Sequence, residues 1–74
     1  MVKTIRVHIT NEQPPVTRIR TMFVRDGIEI VEGTRFSAQF PQRIGTHILL
    51  DVTQVMDDAE GKVYICERLD KKGT

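Results

Sequence analysis

The sequence has no tryptophan, a single cysteine, only four aromatic rings and no long uninterrupted apolar run. A bilayer-spanning helix needs about 18 or more consecutive apolar residues. The opening Met1-Val2-Lys3-Thr4-Ile5-Arg6 breaks its apolar residues with charge before a signal-peptide core of about 7 to 15 residues could form. The expectations are no membrane contact and a cytoplasmic location. Cys66, being alone, can neither close an intramolecular disulfide nor supply a multi-thiolate metal site, and is expected to serve as a small hydrophobe on a strand. Charge of either sign is also nearly absent in the balance. Eleven Lys and Arg against ten Asp and Glu give a net +1, which removes any global electrostatic drive towards nucleic acid or anionic lipid.

Chemistry-bearing constellations are missing as well. His8 and His47 are far apart in sequence, each on the polar side of a predicted strand, and nothing near them completes a ligand set. Ser37 lacks a nucleophile-elbow motif. The run Asp57-Asp58-Ala59-Glu60-Gly61 is shorter than the roughly twelve residues of an EF-hand loop and reads as a solvated hairpin tip. The five glycines are isolated, so no loop could cradle a phosphate. No catalytic residue, metal or cofactor is expected, and a non-enzymatic chain is predicted.

What is present is a regular alternation. Seventy-four residues make one domain, predicted over 1–70 with a polar C-terminal tail at 71–74. Turn signals recur about every ten residues, at Pro14-Pro15, Asp26-Gly27, Glu32-Gly33, Pro41 to Gly45 and Asp57 to Gly61, a spacing suited to short strands. Residues 2–9 place Ile5, Val7 and Ile9 on one face, with Arg6 and His8 on the other. Thr34 to Phe40 offers Phe36, Ala38 and Phe40; 46–56 offers Ile48, Leu50, Val52 and Met56; the stretch after Gly61 offers Val63, Ile65 and Leu69. In 17–25 the inward residue is expected to be Phe23, with Met22 and Val24 outside, and Asp26-Gly27 is expected to turn this strand into a hairpin with 28–31.

The fold class predicted is mostly β, a small five- to six-stranded antiparallel sheet or partly open barrel of the OB or SH3 type. The alternative is an α+β domain with one helix at about 14–26. The last two strands are expected to pair as Asp57 with Lys62, Val55 with Tyr64, Met56 with Val63 and Asp51 with Arg68, leaving Val52 opposite Glu67 as a mismatch.

Two binding readings follow. The first, placed ahead, is a module acting through protein contacts as an adaptor, inhibitor or accessory subunit, self-associating through an edge strand, with Leu49, Val55 and Tyr64 as interface residues. The second is nucleic-acid binding by Arg6, Arg18, Arg20 and Arg35, on the expectation that their polar strand faces adjoin. The supply of basic residues is skewed towards the front: residues 1–43 carry seven Lys or Arg against four acids, and 44–74 four against six. Scarce exposed aromatics count against base stacking.

Overall fold

The computed structural model describes residues 1–12, 14–43 and 45–69; the polar tail predicted at 71–74 lies outside them. Five strands follow one another: β1 (Val2–Ile9), β2 (Arg20–Arg25), β3 (Arg35–Gln39), β4 (His47–Asp58) and β5 (Gly61–Arg68). They hydrogen-bond in consecutive order as a meander, and β5 returns to β1 to close the ring. An odd number of alternating strands brings the first and last together in the same direction, so β1·β5 is the one parallel pair, over Val7↔Tyr64, His8↔Ile65 and Ile9↔Cys66. Among the described residues no helix is long and apolar enough to cross a membrane. The small β-barrel read from the alternation is the observed architecture, and in place of the helix considered for 14–26 the chain runs without regular structure over 14–19 and then forms β2.

The period of two builds the core. Ile5, Val7 and Ile9 of β1 meet Met22 and Val24 of β2, Phe36 and Ala38 of β3, Ile48, Leu50 and Val52 of β4 and Cys66 of β5, all buried. This reverses the expectation for β2. Side chains directly opposite each other share a face, and β2 is in register with Ile5↔Met22 on one side and Ala38↔Val24 on the other. Met22 and Val24 therefore point inward and Phe23 is half-buried outside them. Alternation alone finds two faces without saying which one is inside.

The predicted hairpin of 17–25 with 28–31 is also corrected, because β2 pairs instead with β3. Residues 26–34 form a plug at one end of the barrel. Ile30 is buried in the core with Ile28 packed against it. The Asp26 amide donates to the Met1 carbonyl at 2.9 Å, and Gly33 and Val52 amides donate to Val52 and Thr34 carbonyls at 2.8 and 2.9 Å. Burying Ile30, worth about 1.5–3 kcal/mol, together with the partial burial of Ile28 outweighs the local turn preference.

At the β4–β5 end the expected pairs Asp57↔Lys62, Met56↔Val63 and Val55↔Tyr64 are present. Gly61 takes φ +121°, a conformation open to glycine and rare for other residues. Past Gln54↔Ile65 the register shifts, so that Val52 faces Cys66, Asp51 faces Glu67 and Leu50 faces Arg68. Thr53 is the extra residue of a β-bulge, its Oγ1 donating to the Ile65 carbonyl at 3.2 Å. The bulge removes the Val52–Glu67 mismatch and brings both Val52 and Cys66 inside. It also exchanges the faces beyond it. Val55 and Tyr64 pack against the core while Met56 is 48% exposed, contrary to the expectation that Met56 points in. Burial pushes the Cys66 thiol up to about 12, so at neutral pH it stays protonated and is a core residue.

The hairpin tip is held to β1 by charge. Arg6 donates from Nη1 and Nη2 to Asp58 Oδ1 and Oδ2 at 2.8 and 2.7 Å, and lies 3.4 Å from Glu60. The fork from Arg6, helped by the Glu60 amide donating at 2.8 Å, lowers the Asp58 carboxyl from 3.8 to about 2. A carboxyl lowered by folding contributes stability above its unfolded pKa and loses it as pH falls through the folded value. Unfolding midpoints in urea should therefore drop between about pH 4 and about pH 2, and the drop should be shallower in Asp58→Asn. Equal slopes for the two proteins would show that the pair is not formed in solution.

Candidate functional site

Among the described residues β2–β3 is the shortest ladder of the closed barrel, and a gap opens beyond it. The β2–β3 ladder runs only over Phe23↔Gln39 and Val24↔Ala38, because after Phe40 comes Pro41, which has no amide to donate. The chain then turns, with the Arg43 amide donating to the Phe40 carbonyl at 3.1 Å and the Thr46 amide to the Arg43 carbonyl at 3.0 Å. Among the described residues no backbone hydrogen bond joins Arg20–Met22 to residues 40–43. An open groove of about 630 Å³ occupies this gap.

Its rim is basic. Arg18, Arg20, Arg43 and Arg68 line it, four of the chain's seven arginines, with Glu12 as the one carboxylate among the described residues and Phe40 and Ile19 as apolar surface. Each comes from a different part of the chain: Arg18 from the segment before β2, Arg20 from the first position of β2, Arg43 from the turn after Pro41, Arg68 from the end of β5. Arg68 is fixed through its backbone, its amide donating to Asn11 Oδ1 at 2.8 Å and its carbonyl accepting from Asn11 Nδ2 at 3.0 Å.

Arg20 is the ordered member. Its Nη1 donates to Glu12 Oε2 at 2.9 Å and lies equally close to Oε1, a buried oxygen that receives no aligned hydrogen bond. Its guanidinium also sits 5.3 Å from the centre of the Phe40 ring, within cation–π range. The Glu12 side chain is only 14% exposed, and a carboxylate so far from water needs that counter-charge. Arg18 and Arg43, both exposed, form no ion pair among the described residues.

Of the residues expected to form a cationic face, Arg18 and Arg20 meet in the groove. Arg6 is turned to Asp58 at the hairpin tip, and Arg35 lies on β3 opposite Asp51. Of the residues expected to form an apolar interface, Val55 and Tyr64 are a cross-strand pair packed against the core, while Leu49 is 38% exposed on the outer side of β4. The three make no common surface. The exposed apolar side chains that do cluster are Ile19 and Met56, around a shallow depression shared with His8, Val63 and Ile65. There the segment before β2 crosses the outside of the barrel, fixed by His8 Nε2 donating to the Val16 carbonyl at 3.1 Å; a carbonyl only accepts, so Nε2 carries the proton.

Arg43 and Arg68 were hidden from sequence reasoning, one inside a turn signal and the other paired on paper with Asp51. The available signal was Pro41, which ends a ladder one residue after Phe40 and so opens the wall where Arg18 precedes, and Arg20 begins, the neighbouring strand. Comparisons of this chain with family models, with curated proteins and with solved structures find no match.

Proposed function

We propose that this protein is a non-enzymatic binding module whose working surface is the arginine groove and whose partner is anionic. The observation that supports it is the convergence of Arg18, Arg20, Arg43 and Arg68 on one gap with a single carboxylate among the described residues that line it. A net charge of only +1 gives no reason to expect such a concentration by chance, and exposed like charges held together raise the local potential that attracts a counter-charge. Arg18 and Arg43 supply planar donor forks matched to carboxylate or phosphate oxygens, while Arg20, already held by Glu12, shapes the wall.

The test is the salt dependence of binding. Fluorescein-labelled polyglutamate and a labelled oligothymidylate are titrated with the protein at low and at moderate salt, and anisotropy is read. At least one should bind, with affinity falling steeply as salt rises. No binding of either polymer at low salt contradicts the reading.

A further inference from the structure

The groove is more than a charged rim, because one of its walls is an unfinished ladder. In the β1–β2 ladder Ile5↔Met22 and Val7↔Arg20 are the hydrogen-bonded pairs, in step with the Asp26 amide on the Met1 carbonyl, so the amide and carbonyl of Thr21 between them turn to the other edge, towards the gap beyond the last β2–β3 pair. Thr21 thus offers that edge one amide donor and one carbonyl acceptor. A partner that satisfies both must itself bring donors and acceptors along an extended backbone. A polypeptide does so; a phosphodiester backbone offers acceptors alone and would leave the carbonyl unmet.

The aromatic inventory points the same way. Single-stranded nucleic acid is held largely by stacking bases on exposed rings. Among the four aromatic residues Phe36 is buried, Phe23, Phe40 and Tyr64 are half-buried, and Arg20 lies over the Phe40 ring. Phe40 is the one ring that lines the groove, and with Arg20 over it the groove offers no free stacking platform.

Resting on the groove reading above, we infer that the ligand is an acidic segment of a partner protein that adds to the barrel as an extended strand along Arg20–Met22. Main-chain hydrogen bonds to β2 supply affinity, and carboxylates set against Arg18 and Arg43, with Arg20 and Arg68 alongside, supply selectivity for acidic sequence. Alternate side chains of an extended strand point to opposite faces, so acidic residues at every second position would all face the arginines. The strand continues the sheet where Pro41 ends β3's contribution.

The experiment uses a labelled peptide alternating glutamate and valine, and two derivatives of it. Successive amides of a strand point to opposite edges, so N-methylating the glutamate amides blocks one edge and N-methylating the valine amides blocks the other. Strand addition predicts that one derivative binds like the parent and the other is weakened about tenfold or more, the size expected for losing main-chain hydrogen bonds. Equal affinity of the two derivatives overturns strand addition. Binding of oligothymidylate without binding of any peptide overturns the peptide inference and leaves the anionic groove standing. Failure of peptide, polyglutamate and oligothymidylate alike overturns both.

Discussion

Replacing Leu50 with alanine is expected to leave the protein largely unfolded at 37 °C, with the melting temperature lowered by at least about 10 °C. Leu50 is fully buried in the first half of β4, between Phe36 of β3 and Arg68 of β5. Leucine-to-alanine in such a position costs about 2–5 kcal/mol, the spread depending on how far the cavity collapses. A domain of this length has only about 4–11 kcal/mol in total. The neighbouring Leu49, 38% exposed, is the control, since Leu49→Ala should stay within about 0.5 kcal/mol of the parent. Thermal melts followed by far-UV circular dichroism give both numbers. Similar losses for the two variants would mean that β4 does not present these faces.

The second large effect concerns binding. Arg18→Glu combined with Arg43→Glu should abolish detectable association with acidic polymers at low salt, a loss of about a hundredfold or more. Each removed contact is a charge-assisted hydrogen bond worth about 1.5–3 kcal/mol, and each 1.4 kcal/mol is tenfold. Both side chains are exposed, so the melting temperature should hardly move. Arg35→Glu, which reverses a charge on β3 opposite Asp51, should retain binding and shows whether the effect belongs to the groove or to net charge. Arg20 is the wrong residue for this purpose. Removing it strands the Glu12 carboxylate, 14% exposed, without its partner, and a loss of binding would be mixed with a loss of stability.

The barrel was legible because its inner rows repeat every two residues. Ile5, Val7 and Ile9, then Phe36 and Ala38, then Ile48, Leu50 and Val52 are buried as the alternation requires. What failed to show was set by contacts distant in sequence. Met22, not Phe23, faces inward because Ile5 lies opposite it, and no property of 20–25 alone decides that. The bulge at Thr53 moves Val55 and Tyr64 in and Met56 out; its trace in the sequence was the Val52–Glu67 mismatch, which announced a changed register without locating it. Residues 28–31 turned from β2 because Ile28 and Ile30 gain more by closing the barrel end than by forming a hairpin.

The site was legible only in part for a related reason. Arg18 and Arg20 stood out as neighbours on one segment, but Arg43 and Arg68 join them through the meander's closure, which brings the ends of β3 and β5 beside the start of β2. Arg6 resembled them in sequence and is instead held by Asp58 at the opposite hairpin. Charge type can be read from a sequence; which charges share a wall depends on topology.

The most direct test of the arginine groove is an amide NMR titration of the labelled protein with the alternating glutamate–valine peptide. Binding through the gap predicts that the largest shifts fall on Thr21, Met22, Arg43 and Arg68, with Arg6, Asp58 and Glu60 at the hairpin tip unmoved. Shifts concentrated at that tip, or around Leu49, with the groove amides unchanged, would contradict it.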